Sequence, residues 1–118
     1  MLPSELVHLP PLIERTQGIP EIKIGLIDGP IFEQHADLTG LRYENVSDKT
    51  GSTCGLHSST ACLHGTFVAG ILAARRNSMA PAICPGCTLL VRPIFAENTS
   101  GPEQMPSAAP GELGAAIV

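Results

Sequence analysis

The sequence contains no tryptophan, one tyrosine and three phenylalanines. A core must then be assembled from Ile, Leu, Val and Ala, the side chains that dominate parallel α/β layers. Basic residues are sparse: no cluster occurs beyond Arg75-Arg76, and a net charge of −4 argues against a nucleic-acid partner. No apolar run reaches membrane-spanning length, so no membrane partner is expected. Met1 to Pro11 lacks the basic-then-apolar order of a secretory signal, and a cytoplasmic location is the resulting expectation. A G-x-G-x-x-G after the first strand is also missing, which disfavours a dinucleotide binder. Internal repeats and domain-separating linkers are absent.

What remains is a globular composition, 43% hydrophobic and 15% charged over 118 residues. Two stretches carry chemistry. Ile22-Lys23-Ile24-Gly25-Leu26-Ile27-Asp28-Gly29-Pro30 is a nearly continuous apolar run halted by Asp-Gly-Pro, the pattern of a strand buried on both faces. Asp28 then stands at the carboxyl end of a parallel strand, where open α/β sheets place functional groups. In Leu63-His64-Gly65-Thr66-Phe67-Val68-Ala69-Gly70-Ile71-Leu72-Ala73-Ala74, the apolar residues Val68, Ile71 and Leu72 recur with helical spacing. The expected helix runs over 64–76, with His64 at its start and Arg75 and Arg76 at its carboxyl end. A carboxylate such as Asp28 can fix the tautomer of a histidine, leaving the other ring nitrogen free to act as a general base.

These blocks carry a resemblance. Ile27-Asp28-Gly29 followed by His64-Gly65-Thr66-x-Val68-Ala69-Gly70 resembles the subtilisin (subtilase) superfamily of serine endopeptidases. His35-Ala36-Asp37-Leu38 is similar to the His-Pro-Asp-Leu that often follows the catalytic Asp strand there. Asp28-Gly29-Pro30, with Arg92-Pro93-Ile94-Phe95-Ala96 downstream, looks closer to the cyanobactin maturation proteases, which process precursor peptides. The resemblance implies a three-layer α/β/α parallel sheet, incomplete at its carboxyl-terminal side. It also implies that residues 1–118 are the amino-terminal portion of one peptidase domain, with 1–20 as a lead-in segment. Asp28 and His64 would be two members of a Ser/His/Asp triad whose Ser lies outside this chain, and no cofactor is expected. The implied partners are a peptide or precursor-peptide substrate and the carboxyl-terminal part of the same domain, or a second copy of the chain. The 36-residue step from Asp28 to His64 is near that of a plain subtilisin, which favours cleavage over macrocyclisation. A different class of function shares every one of these residues: a non-catalytic half-domain that binds a peptide or a complementary fragment.

The four cysteines leave alternatives open. Cys54, Cys62, Cys84 and Cys87 suit two disulfides by count, half of a zinc site at 84–87 by spacing, or free structural thiols in a reducing compartment. No second ligand pair has suitable spacing, so no zinc is expected at Cys84 and Cys87. Elsewhere the reading is a short helix within 12–17, a short strand at 41–46, a strand at 88–95 and a helix beginning at Pro110. The strand at 88–95 or a neighbour is expected to present an open edge. His35 and His57 are read as surface or loop-capping residues, and Asp37 as a structural carboxylate rather than a calcium ligand. Asp48-Lys49-Thr50-Gly51 matches the start of a phosphorylation motif but lacks its buried strand, and is read as a turn.

Overall fold

A computed structural model gives the fold and describes residues 1–47, 53–97 and 105–118. The turn at Asp48–Gly51 and residues 98–104 of the Pro/Gly-rich loop lie outside the described residues. The lead-in forms two short helices, α1 (Pro3–Leu6) and α2 (Pro10–Arg15), each with proline in its first turn. Strands β1 (Lys23–Asp28), β2 (Arg42–Asn45) and β3 (Thr88–Pro93) form a parallel sheet in the order β1-β3-β2. Helix α3 (Thr60–Ala73) connects β2 to β3, and α4 (Pro110–Ile117) follows the sheet. The α/β class with a parallel sheet is therefore as the sequence indicates.

The register sets the site. Ile24 pairs with Leu89, Leu26 with Val91 and Asp28 with Pro93. Beyond Pro93 the amide of Ile94 donates to the Asp28 carbonyl at 2.8 Å, so the end of β3 fixes the backbone of Asp28. The core is aliphatic, built on Leu26, Ile31, Leu38, Leu89 and Val91 with Ala69, Ala73, Ala74 and Ala82. No aromatic ring enters it.

Three local expectations change. The run at 22–28 is not buried on both faces: within β1 only Leu26 is buried, and Ile22 is half exposed. Position explains this, because β1 lies at the sheet edge while β3 is central and hydrogen-bonded on both sides. Among the described residues the sheet edges are β1 and β2, so of the two expected places for an edge it is the neighbours of the strand at 88–93, not that strand, that provide it.

Helix α3 starts one turn earlier than periodicity suggests, which puts His64 in its second turn. Ser59 is extended and its hydroxyl accepts the Cys62 amide at 3.3 Å, an N-cap that licenses the extra turn. Its buried stripe is Ala61, Cys62, Gly65, Ala69 and Ala73, with Val68 and Leu72 half-buried and Ile71 exposed. Small residues thus make the seam, and the larger apolar ones flank it.

At the other end the helix stops at Ala73, so Arg75 and Arg76 lie past its last turn. The Arg75 amide donates to the Asp37 carbonyl at 2.9 Å, and its guanidinium lies 4.0 Å from the Asp37 carboxylate. Arg76 donates to four carbonyls: Ala82 at 2.8 Å, Ile13 at 2.8 Å, Thr16 at 3.0 Å and Ile83 at 2.9 Å. It thereby ties the lead-in to the loop after α3. Arg76→Met keeps the stem but removes all four donors, and is expected to cost about 2 kcal/mol. A lower urea midpoint at unchanged slope would register it.

Candidate active site

Asp28 and His64 meet where β1 ends and α3 passes over it. Nδ1 of His64 lies 2.8 Å from Oδ1 of Asp28. An ionised carboxylate only accepts, so Nδ1 carries the proton and Nε2 is left with a free lone pair. The same Oδ1 accepts the Gly29 amide at 2.6 Å, which holds the carboxylate in place. The Asp28 side chain is 13% exposed and that of His64 is 64% exposed, so the pair has a sheltered anchor and an open working end.

The residues after each functional side chain explain the approach. An ideal Cβ on Gly65 would stand 2.5 Å from the Pro30 carbonyl oxygen and 2.6 Å from that of Gly29. One on Gly29 would run into the Ala61 carbonyl. Two glycines face each other across the helix–turn contact, and neither tolerates a side chain. Thr66 completes the junction, its hydroxyl accepting the Phe32 amide at 2.8 Å. Asp-Gly-Pro and His-Gly-Thr are therefore two sides of one contact: each offers a side chain to the pair and a glycine for closeness, and Thr66 bonds the turn through the Phe32 amide.

The other histidines stay apart from this pair. His35 Nδ1 accepts the Asp37 amide at 3.1 Å and caps a 3₁₀ turn at Ala36–Leu38. His57 stacks on Phe32 with centroids 3.8 Å apart. An apolar groove of about 990 Å³ between the lead-in and the outer face of α3, lined by Leu9, Leu63, Phe67 and Ile71 among others, includes neither Asp28 nor His64.

The cysteines divide. Cys54 and Cys62 form a disulfide across eight residues, so free thiols hold only for Cys84 and Cys87. The bond ties the loop before α3 to that helix's first turn. Glu97, which no sequence motif marks, reaches the same loop from beyond β3. Its Oε2 accepts the Gly55 amide at 2.9 Å, and its Oε1 accepts the Leu56 amide at 2.9 Å and the Ser59 hydroxyl at 2.8 Å. Burial pushes this carboxyl up, but the Ser59 hydroxyl, the Leu56 and Gly55 amides and nearby His57 outweigh it and hold it below the ordinary value. The donor atoms of Cys54, Cys62 and Glu97 lie within 4.8 Å of one another, a grouping that in other circumstances could hold a metal. Here the two sulfurs are bonded to each other and the carboxylate already accepts three hydrogen bonds, so the group acts as a brace.

Burial, and then neighbouring Cys87, push the Cys84 thiol up to about 11 against the opposing pull of Arg76. Thiolate is the reactive form, so at pH 7.5 its population is on the order of 10²-fold below that of an ordinary thiol. Native protein should therefore alkylate slowly at Cys84, with a rate that climbs about tenfold per pH unit toward pH 11. A fast, pH-independent rate would contradict this environment.

No model of a known protein family matches the chain. The nisin leader peptide-processing serine protease NisP of Lactococcus lactis subsp. lactis is 31% identical over 96 residues, 70% of this chain and 14% of that protein. Among solved structures, the prenylagaramide maturation protease PagA is 28% identical with a TM-score of 0.70, covering 92% of this chain and 33% of that one. The crystal structure of NisP is 26% identical with a TM-score of 0.61, covering 92% of this chain and 31% of its own. A mutant protease domain of PatA shares the fold, with a TM-score of 0.73 at 24% identity, over 86% of this chain and 34% of that one. The chain thus spans one seventh of the curated relative and about a third of the structural ones. With its parallel sheet, its Asp28–His64 junction and these similarities together, the chain belongs to the subtilisin-like superfamily of serine proteases.

Proposed function

We propose that this chain supplies the Asp/His part of a serine endopeptidase that processes a precursor peptide. Asp28 orients His64 and stabilises the imidazolium that forms, and His64 Nε2 takes the proton of a serine hydroxyl and later delivers it to the leaving amine. The serine and the oxyanion donors come from residues outside the 118, since no Gly-Thr-Ser block occurs among them. Residues 1–118 then constitute the amino-terminal portion of one peptidase domain, with 1–20 as its lead-in. The observation that carries the reading is the 2.8 Å contact between Nδ1 and Oδ1, with Nε2 left open on an exposed ring. The substrate class rests on the relatives, one named for leader-peptide processing and another for prenylagaramide maturation.

Without a nucleophile the chain by itself is silent toward peptides and pairs with its carboxyl-terminal part or another copy. Among the described residues β1 and β2 stand at the two edges of the sheet, where a further strand could pair. No helix among the described residues is long and apolar enough to cross a membrane. The cytoplasm is the proposed location, and the Cys54–Cys62 bond is the feature that pulls against it. The test is complementation. The chain alone should not cleave a precursor peptide, and adding the separately purified carboxyl-terminal part should restore cleavage that depends on Asp28 and His64. Cleavage by the 118 residues alone, or folded parts that never regain it, would refute the assignment.

A further inference from the structure

We propose that Glu97 is a positioning residue for His64, acting through the loop and cap that begin α3; the inference rests on His64 being the general base. The route is continuous. Glu97 accepts from the Gly55 and Leu56 amides and from the Ser59 hydroxyl. Ser59 Oγ in turn accepts the Cys62 amide at 3.3 Å, capping the first turn of α3, directly before the turn that carries His64. Cys62 is buried and covalently joined to Cys54 at the far end of the same loop.

The segment leaving β3 therefore holds both partners of the site. Ile94 fixes the backbone of Asp28 from one side, and three residues later Glu97 fixes the start of the His64 helix from the other. A carboxylate suits the task because it is acceptor-only and its two oxygens face three donors. Glutamine does not substitute: its NH₂ would face a backbone amide donor, leaving that amide unpaired. The disulfide closes the loop on the helix but has no bond to the sheet, so it does not replace this anchor.

The experiment uses the full-length peptidase, with kinetics on a precursor peptide and hydrogen exchange on the same samples. Glu97→Gln should lower kcat about 10- to 100-fold, the scale of a displacement near 1 Å, with KM within about twofold. It should also speed exchange at 54–62 while leaving β1 and β3 protected, and Glu97→Asp should recover part of kcat. Should Glu97→Gln fail to fold, Ser59→Ala removes the relaying hydroxyl and is read in the same way. An unchanged kcat in folded Glu97→Gln, with His64→Ala inactive, would overturn this inference alone. Activity that survives His64→Ala would overturn the catalytic reading and this inference with it.

Discussion

Replacing His64 with alanine in the full-length peptidase is expected to lower kcat by a factor on the order of 10⁴ to 10⁶, the range that dissection of the subtilisin triad gives for its members. The size follows from how the group works. Without Nε2 the serine hydroxyl has no acceptor for its proton, and the departing amine has no donor. Asp28→Asn should cost less, about 10⁴-fold, because the amide presents a donor to Nδ1 and favours the wrong tautomer. The two effects should not add, since Asp28 acts only through the imidazole it touches at 2.8 Å. Single-turnover kinetics on the double variant checks this: it should resemble His64→Ala alone. His64 is exposed, so circular dichroism of these variants should match the parent.

Gly65→Ala is expected to damage stability and activity together. The added methyl would sit 2.5 Å from the Pro30 oxygen and 2.6 Å from the Gly29 oxygen, and both obstacles are backbone that cannot rotate aside. Helix α3 must lift from the turn after β1, a rearrangement of overpacked cores that costs about 1–3 kcal/mol. The same lift separates His64 from Asp28, and a shift near 1 Å carries a rate loss of about 10². Gly70 is the internal control. It lies in the same helix, but a Cβ there meets nothing within 4 Å. Gly70→Ala should therefore be neutral or stabilising by up to about 1 kcal/mol, from helix propensity alone. Thermal melts of the two variants side by side separate close approach from propensity, and equal effects would contradict the account.

Much of this site was legible because its chemistry is written in consecutive residues. Asp28 after an apolar strand, and His64 before a helical repeat, needed only local pattern and a family resemblance. The helix boundary was less accessible. Periodicity pointed to Val68, Ile71 and Leu72, whereas the buried seam is made of Ala61, Cys62, Gly65, Ala69 and Ala73. Small side chains give little hydrophobic contrast, so a seam chosen for closeness leaves a faint periodic signal. Ser59 was the available cue, a capping residue placed one turn ahead of the histidine.

Glu97 was beyond reach for a different reason. Its partners Gly55 and Leu56 lie about forty residues away, and nothing in Ala96-Glu97-Asn98 states that a loop will fold back onto it. The pairing of Cys54 with Cys62 likewise depends on a loop path that spacing alone does not determine. The exposure of β1 follows from strand order rather than from its apolar run. These features are non-local, set by contacts between residues that are not neighbours in the chain.

The most direct test of the central claim is covalent labelling with a fluorophosphonate, which reacts with a serine only when a working base activates it. In the full-length protein a single serine outside residues 1–118 should be labelled, identified by mass spectrometry of the modified peptide. Labelling should vanish in His64→Ala and fall steeply in Asp28→Asn. Undiminished labelling in folded His64→Ala, or no labelled serine in the folded full-length protein, would contradict the assignment of Asp28 and His64 as a catalytic pair.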